Sequence, residues 1–283
     1  MILLAMLLQS AQPVPTAAPR QLPPLHGGPA EMTCPVGGET FSAWQPAMFS
    51  TYGERPDGKP YSYLPFPFPL PECPSNKLVV FDKVSTQDAE NLARLIGTAD
   101  YKRLIGSETT YYRAYWLAGK LGRPEVLRLG LLLSAIWQVT PDPRSQISTD
   151  AQNSQFQRYQ TLFIRGVRAL GPATPVADRL WLEARAANAA RQMGRFDEAA
   201  RLIDTADRSL TLVTDKRGWD TYLAKLRAVI ARKDAGVEPL DMIPEQEVAF
   251  TCLRRPPSTS FDKATCTSPE VVARMATLNA KPK

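Results

Sequence analysis

Residues 181–206, with the sequence WLEARAANAARQMGRFDEAARLIDTA, decide the fold of this chain. Small residues recur at helical spacing in each half of the stretch, and Gly194 separates the two halves. Glycine readily adopts the left-handed conformation that ends many helices. We therefore expect two antiparallel helices in close contact. The residues predicted to form or orient that contact are Ala186, Ala187, Ala190, Gly194, Phe196, Ala199, Ile203 and Ala206.

The order of these residues resembles the tetratricopeptide repeat, a pair of antiparallel helices in about 34 residues. Ala190 stands where that pattern prefers an aromatic residue, and the early tryptophan is offset to Trp181. A weaker copy occupies residues 111–135, with Gly122 at its turn. Because one unit cannot bury its own face, the resemblance implies that neighbouring helices pack on it or cap it. The alternative is an irregular helical domain with one chance match, which is also mainly α.

Helix signals continue on both sides of this stretch, whereas the N-terminal part is rich in Pro, Gly and aromatic residues. Ser85 and Asp88 predict a capping box ahead of apolar residues at helical spacing. Two short alternating stretches, 40–44 and 77–81, predict strands. Further helices are predicted at 109–121, 124–139, 154–170, 175–193, 196–210, 216–235 and 269–278. Gly122, Gly171 and Gly194 stand where a helix can end in the left-handed conformation, and the polar residues 145–154 predict a long loop.

Residues 61–71, with the sequence YSYLPFPFPLP, predict an extended loop. Each proline lacks a backbone donor and holds the residue before it in an extended conformation. The aromatic rings of this loop either bind a partner or pack against the helices that follow, and the sequence leaves both open.

Two short cysteine motifs lie in the N-terminal part, Cys34-Pro-Val-Gly and Cys73-Pro-Ser-Asn. Zinc ribbons carry Cys-x-x-Cys on each of two turns, because four thiolates complete the tetrahedral shell of a structural zinc ion. Here Gly37 and Asn76 stand at the second cysteine positions. The motifs therefore predict a zinc-ribbon-like module that has lost half of its ligands.

This combination is similar to an uncharacterised family of bacterial proteins in which a two-knuckle zinc ribbon precedes a tetratricopeptide-like helical region. The resemblance is carried by residues 34–36, by residues 73–74 with 79–82 behind them, and by residues 191–199. It covers residues 34–230 and implies no activity. The departures at the second cysteine positions argue against zinc binding of the family type.

Two turns that once faced one metal ion would bring Cys34 and Cys73 together, and an oxidising compartment would join them in a disulfide. Cys252 and Cys266 bracket a stretch that predicts a loop, which a second disulfide would close. The alternative for the first pair is a residual metal site of Cys34, Cys73 and His26, since three ligands and a water form a catalytic zinc site.

His26 is the only histidine of the chain, so arrangements that pair a nucleophile with a histidine have no credible base. The sequence contains neither a phosphate-binding glycine loop nor a His-Glu-x-x-His helix. A hydrolase that uses paired carboxylates stays an open alternative, because the pairing of Asp and Glu residues is decided by tertiary structure. We therefore predict no enzymatic activity and no cofactor.

Residues 1–8, MILLAMLL, form a run too short for a bilayer, which takes about 20 apolar residues, and resemble the core of a signal peptide. No Lys or Arg precedes the run, which argues against that interpretation. Export to the periplasm or beyond is favoured, with no stable membrane span after cleavage. The net charge of +6 is scattered along the helices without interleaved aromatics, so nucleic acid is not an expected partner.

Four segments follow from these patterns. We predict a signal peptide and Pro-rich arm at 1–30, a degenerate zinc-ribbon-like module at 31–84, a helical tetratricopeptide-like domain at 85–240, and a C-terminal disulfide loop with a short helix at 241–283. The predicted fold is mainly α with a small β-containing module. The predicted function is an exported, non-enzymatic interaction or scaffold protein whose helical repeat-like surface receives a protein or peptide. A metal-binding protein is the alternative.

Overall fold

The computed structural model describes residues 26–141 and 149–280, which are mainly helical with one small sheet. Strands β1 (Gly27–Thr33) and β2 (Thr40–Pro46) pair antiparallel, with Ala30 opposite Ala43. The helices are α1 (Thr86–Ile96), α2 (Ala99–Ser107), α3 (Thr110–Lys120), α4 (Glu125–Val139), α5 (Asp150–Arg168), α6 (Val176–Gln192), α7 (Phe196–Thr211), α8 (Trp219–Ala231), α9 (Glu245–Arg254), α10 (Ser260–Cys266) and α11 (Pro269–Ala280).

Helices α3 to α8 pack in chain order, each against the next, and enclose the main hydrophobic core. The contact between α6 and α7 is the most extensive of these, and small side chains line it on both sides. Gly194 ends the turn between them with φ +70°, as the sequence predicts. The residues of the predicted contact that have no exposed surface are Ala186, Ala187, Ala190, Ala199, Ile203 and Ala206.

Helix α6 is enclosed by the rest of the chain along most of its length. Every residue from 182 to 191 is buried, including the charged residues Glu183, Arg185 and Arg191. Charged side chains are rarely buried without partners, since taking them out of water costs several kcal/mol. Arg191 finds one partner within α6, the side-chain oxygen of Asn188. Other partners belong to other segments of the chain, such as Ser209 for Glu183 and the carbonyl of Pro56 for Arg185.

The first disulfide lies in a separate core between the N-terminal module and helices α1 to α3. Cys34 and Cys73 pack there with Leu78, Leu92 and Tyr101. The Tyr101 hydroxyl donates a hydrogen bond to the backbone carbonyl of Lys77 at 2.7 Å. The capping box of Ser85 and Asp88 at the start of α1 is confirmed.

Several predicted elements of the N-terminal half are wrong. Strand β1 was not predicted, and it crosses the expected boundary between residues 30 and 31 because pairing with β2 satisfies its backbone. Residues 77–81 form no strand and contribute only an isolated bridge from Val79 to Glu72. Helix α2 was also missed, although Thr98 caps it through a side-chain hydrogen bond.

Two connections differ from the sequence-based prediction as well. Helix α5 begins at Asp150, inside the expected loop 145–154, because Thr149 and Gln152 form a capping box. Gly171, expected in the left-handed conformation, does not have a positive φ. Residues 1–25 of the predicted signal peptide and Pro-rich arm at 1–30 lie outside the described residues, as do residues 145–148 of the expected loop.

The C-terminal part is a small helical unit rather than a loop with one helix. Helices α9 and α10 were not predicted, and α10 occupies much of the stretch between Cys252 and Cys266. Leu240, Ile243 and Val248 bury the ring of Tyr61 from the N-terminal module. Among the helices of residues 26–141 and 149–280, none combines the length and the apolar character needed to cross a membrane.

Candidate functional site

The two cysteine turns of the N-terminal module have the same backbone hydrogen bonds. The amide of Cys34 donates to the carbonyl of Glu39 at 2.8 Å, and the amide of Cys73 donates to that of Leu78 at 2.9 Å. The carbonyls of Cys34 and Cys73 each accept from the residue four positions later, Gly38 and Lys77. A disulfide joins the turns, with 5.7 Å between the Cα atoms. The turns therefore face each other as two equivalent loops.

The two positions that lack cysteine also face each other. A Cβ atom added at Gly37 would lie 3.9 Å from the side-chain amide nitrogen of Asn76. That nitrogen donates to the carbonyl of Val36 at 2.8 Å, while the side-chain oxygen of Asn76 accepts from the amide of Leu78 at 2.9 Å. Asn76 thus bridges the two turns through hydrogen bonds next to the disulfide.

The sulfur atoms of this site have one carboxylate beside them. The ligand atoms of Cys34, Glu39 and Cys73 all lie within 4.8 Å of one another, and they are the only such group in the described part of the chain. Glu39 accepts hydrogen bonds from the amide and hydroxyl of Ser75 at 2.9 and 2.7 Å. The sequence alone does not indicate Glu39 as a ligand, because nothing in its spacing resembles a ligand motif.

His26 immediately precedes β1. Its Nδ1 is 2.9 Å from the hydroxyl oxygen of Tyr63, and the two rings meet edge to face. The structure therefore brings Cys34 and Cys73 together, as predicted, but does not bring His26 to them. The second pair, Cys252 and Cys266, is also joined in a disulfide.

Exposed aromatic side chains are concentrated on the N-terminal module. Eight large apolar side chains of the described residues are well exposed, and four of them lie between residues 48 and 63. Phe49 packs against Phe66 and Phe68 with ring centroids 5.6 and 4.9 Å apart. We call Met48, Phe49, Tyr63, Phe66 and Phe68 the aromatic surface.

A second cluster lies where the N-terminal module meets the helices. The face formed by α4, α6 and α8, which we call the helical face, carries Trp137, Arg185, Trp219 and Tyr222. The guanidinium of Arg185 lies over the rings of Trp219 and Tyr222, at 5.3 and 4.9 Å. The chain's own residues 54–58 cover this face, and residues 55–58 are buried there.

Burial and charge shift several ionisation equilibria around the helical face. The desolvation of Arg191, which is fully buried, lowers its pKa to about 10. The guanidinium of Arg191 donates hydrogen bonds to the backbone carbonyls of Asp234 and Gly236, at 2.6 and 2.8 Å. Both residues lie beyond the end of α8. Burial and the nearby carboxylate of Glu238 raise the pKa of Tyr61. Arg191 therefore anchors residues 234–236 to α6, and the hydroxyl of Tyr61 donates to the carboxylate of Glu238 at 2.8 Å.

None of the residues of the helical face was singled out from the sequence. Arg185 carried the only usable signal, because an arginine inside an alanine-rich helix needs a partner once the helix is buried. The aromatic residues of α4 and α8 look like ordinary core residues at helical spacing.

Comparison with known protein families, curated proteins and solved structures finds no match for this chain. The structure itself defines a mainly helical protein with a small two-stranded sheet and two disulfides.

Proposed function

We propose that this protein is an exported, non-enzymatic protein-interaction module that binds a protein or peptide partner. The helical layer, interpreted as tetratricopeptide-like, is the scaffold, and the aromatic surface is the part that meets the partner. The observation that carries the proposal is the exposure of Met48, Phe49 and Tyr63, which are 69%, 43% and 53% exposed. Exposed apolar groups that lie together on a soluble protein commonly mark an interaction site.

The aromatic surface is held in place rather than loosely attached. The rings of Phe66 and Phe68 lie 4.4 Å apart, and Phe68 also contacts Trp44 in β2. The hydroxyl of Tyr111 in α3 donates to the carbonyl of Phe68 at 2.8 Å, which ties the loop to the helices. A rigid aromatic surface loses little conformational entropy on binding, and this favours recognition of a partner.

The disulfides support an exported location. Disulfides persist in oxidising compartments and are rare where thiols are kept reduced. Both cysteine pairs are bonded, and one of them lies in a core between the module and the helices. Together with the apolar run at residues 1–8, this supports the periplasm or the cell exterior.

Photo-crosslinking in the native organism tests the interaction proposal. A benzophenone amino acid would replace Phe49 in one variant and Leu212, which is 71% exposed at the end of α7, in a control variant. We expect discrete protein adducts from position 49 that are lost when Tyr63→Ser is added, and few from position 212. Adducts of equal yield at both positions, or adducts to lipid or glycan alone, would contradict a protein partner for this surface.

A metal-binding function is the second candidate, favoured by the grouping of Cys34, Glu39 and Cys73. Thiolates and a carboxylate suit zinc, and a dithiol reductant would first have to convert the disulfide to two thiols while being oxidised itself. Intact mass and metal content of protein purified without reductant separate the two cases. Two intact disulfides and no bound zinc eliminate this candidate, whereas stoichiometric zinc with free thiols at Cys34 and Cys73 establishes it.

A further inference from the structure

We propose that the helical face is a polypeptide-binding site that the chain fills with its own residues 54–58, so that this segment competes with an external peptide. The proposal goes beyond the aromatic surface, because it concerns a second surface and the kind of ligand that this surface recognises. It does not depend on which partner the aromatic surface binds.

The helical face binds the backbone of the segment. The indole of Trp137 in α4 donates to the carbonyl of Asp57 at 3.1 Å. The carbonyl of Pro56 accepts from Arg185 in α6 at 2.7 Å and from the hydroxyl of Tyr222 in α8 at 2.6 Å. Three donors on three helices therefore converge on two neighbouring carbonyls, and recognition of main-chain atoms is how many peptide-binding sites gain affinity.

The composition of the helical face is that of an interface rather than of a core. Arg, Trp and Tyr are the residue types that dominate binding energies at protein interfaces, whereas cores are built mainly of aliphatic residues. Arg185 is 2% exposed and pairs with Glu54 at 2.8 Å, and the side chain of Glu54 is 53% exposed. The half-exposed carboxylate of Glu54 at the rim, and the buried Arg185 with its aromatic neighbours at the centre, match the usual arrangement of an interface.

The segment has the properties of a compact ligand. The amide of Gly58 donates to the carbonyl of Arg55 at 2.8 Å, which closes a tight turn. Within the turn the Arg55 and Asp57 side chains form a buried ion pair, and Asp57 also accepts from the amide of Lys59 at 3.1 Å. Because the turn satisfies its own charges, the helical face has only to provide donors for the two carbonyls and a cation for Glu54.

These contacts specify the external ligand. The ligand is a peptide that has an acidic residue two positions before a proline. The proline begins a turn that exposes two backbone carbonyls, its own and that of the following residue. The turn requires a residue that tolerates φ +82° at the position of Gly58, where a Cβ would lie 2.9 Å from Nε of Arg185. Glycine therefore belongs in the ligand motif, and a β-branched residue there would disrupt the contact.

Covalent connection makes the internal segment a strong competitor. A tethered ligand has an effective concentration of about 1 mM or more, so an intrinsic Kd of about 10 µM gives an apparent Kd raised about 100-fold for an external peptide. Weakening the internal segment should therefore reveal binding that the wild-type protein conceals.

A fluorescent peptide with the sequence of residues 51–61, TYGERPDGKPY, tests the proposal by fluorescence anisotropy with full-length protein. Gly58→Val should lower the apparent Kd for the peptide at least tenfold compared with wild type. Adding Arg185→Met to that variant should abolish the gain. Gly38→Val is the matched control, because Gly38 also has a positive φ but no atom within 4 Å of its added Cβ, and it should bind the peptide as wild type does.

A milder variant covers the case in which Gly58→Val fails to fold. Glu54→Gln weakens only the rim contact and should lower the apparent Kd about threefold, and circular dichroism identifies folded proteins. The proposal is overturned if folded Gly58→Val or Glu54→Gln binds the peptide no better than wild type. It is also overturned if the folded double variant Gly58→Val, Arg185→Met binds the peptide as well as Gly58→Val alone. Either result would make residues 54–58 a permanent part of the fold. Crosslinking from position 49 tests only the aromatic surface, and peptide anisotropy tests only the helical face. Either proposal can therefore be contradicted without the other.

Discussion

Arg185 of α6 lies 2.8 Å from the carboxylate of Glu54, a residue 131 positions earlier in the chain. The pair connects the N-terminal module with the middle of the helical layer. Its two members differ in surroundings, since Arg185 is fully buried and Glu54 is about half exposed. This difference determines how each contributes to stability.

We predict that Arg185→Met lowers the free energy of unfolding by about 2 kcal/mol, because it removes a donor to the carbonyl of Pro56 and the contact with two aromatic rings. Glu54→Gln should cost less than about 1 kcal/mol, since water reaches the half-exposed carboxylate of Glu54 and screens its charge. Urea unfolding of both variants and of the double variant measures this. A larger loss for Glu54→Gln than for Arg185→Met would contradict the assigned geometry.

The two disulfides should contribute unequally. Replacing Cys34 and Cys73 by alanine opens a loop with a sequence separation of 39, whereas Cys252 and Cys266 are only 14 apart. The chain-entropy model gives losses of about 4 and about 3 kcal/mol. Because Cys34 and Cys73 are also fully buried, the first double variant should be clearly the less stable in non-reducing urea titrations. Equal or reversed losses would show that the first disulfide is not part of the core.

The contact between α6 and α7 should not tolerate larger side chains. Ala190 has no exposed surface, so Ala190→Leu must displace neighbours and should cost about 2 to 3 kcal/mol. Ala273 in α11 is exposed, and Ala273→Leu should change stability by less than about 0.5 kcal/mol. Thermal unfolding of the two variants checks this. If Ala190→Leu left stability unchanged, α6 and α7 would have to be far enough apart to hold the larger side chain, which contradicts the burial of Ala190.

The buried carboxyl of Glu183 should make stability depend on pH. Burial raises its pKa, although the hydroxyl of Ser209, Arg179 and Arg208 act in the opposite direction. The folded state therefore holds this proton more tightly than the unfolded state, so its contribution to stability is present at low pH and is lost as the pH rises through the raised pKa.

Glu183→Gln removes this dependence and provides the test. The stability of wild type relative to Glu183→Gln should rise as the pH falls from neutral toward the ordinary pKa of a glutamate. Chemical denaturation of both proteins across that range gives the difference directly, and other groups cancel because they are common to both. A difference that does not vary with pH, or that grows with pH, would contradict the raised pKa.

Local signals accounted for most of the helices, but α2, α9 and α10 were missed, as were several features of the segments between helices. The capping box at Ser85 and the turn glycine at position 194 are local patterns, and both were predicted correctly. Strand β1 was missed because a strand of Gly, Pro and Ala residues forms only through its partner strand. The partner of Cys34 could be proposed because two similar cysteine motifs predict turns that face each other, and the partner of Cys252 because the remaining pair brackets a short stretch.

The sequence by itself determined the mainly α fold and the closely packed pair α6 and α7, because both depend on spacing along the chain. It proposed the disulfide between Cys34 and Cys73 beside a metal-site alternative, and the structure joins the two residues in a disulfide. Only the tertiary structure decided that Glu39 rather than His26 stands beside Cys34 and Cys73, and that residues 54–58 cover Arg185. These relationships join positions far apart in the chain. Their formation depends on how whole elements pack, and no local pattern encodes that packing.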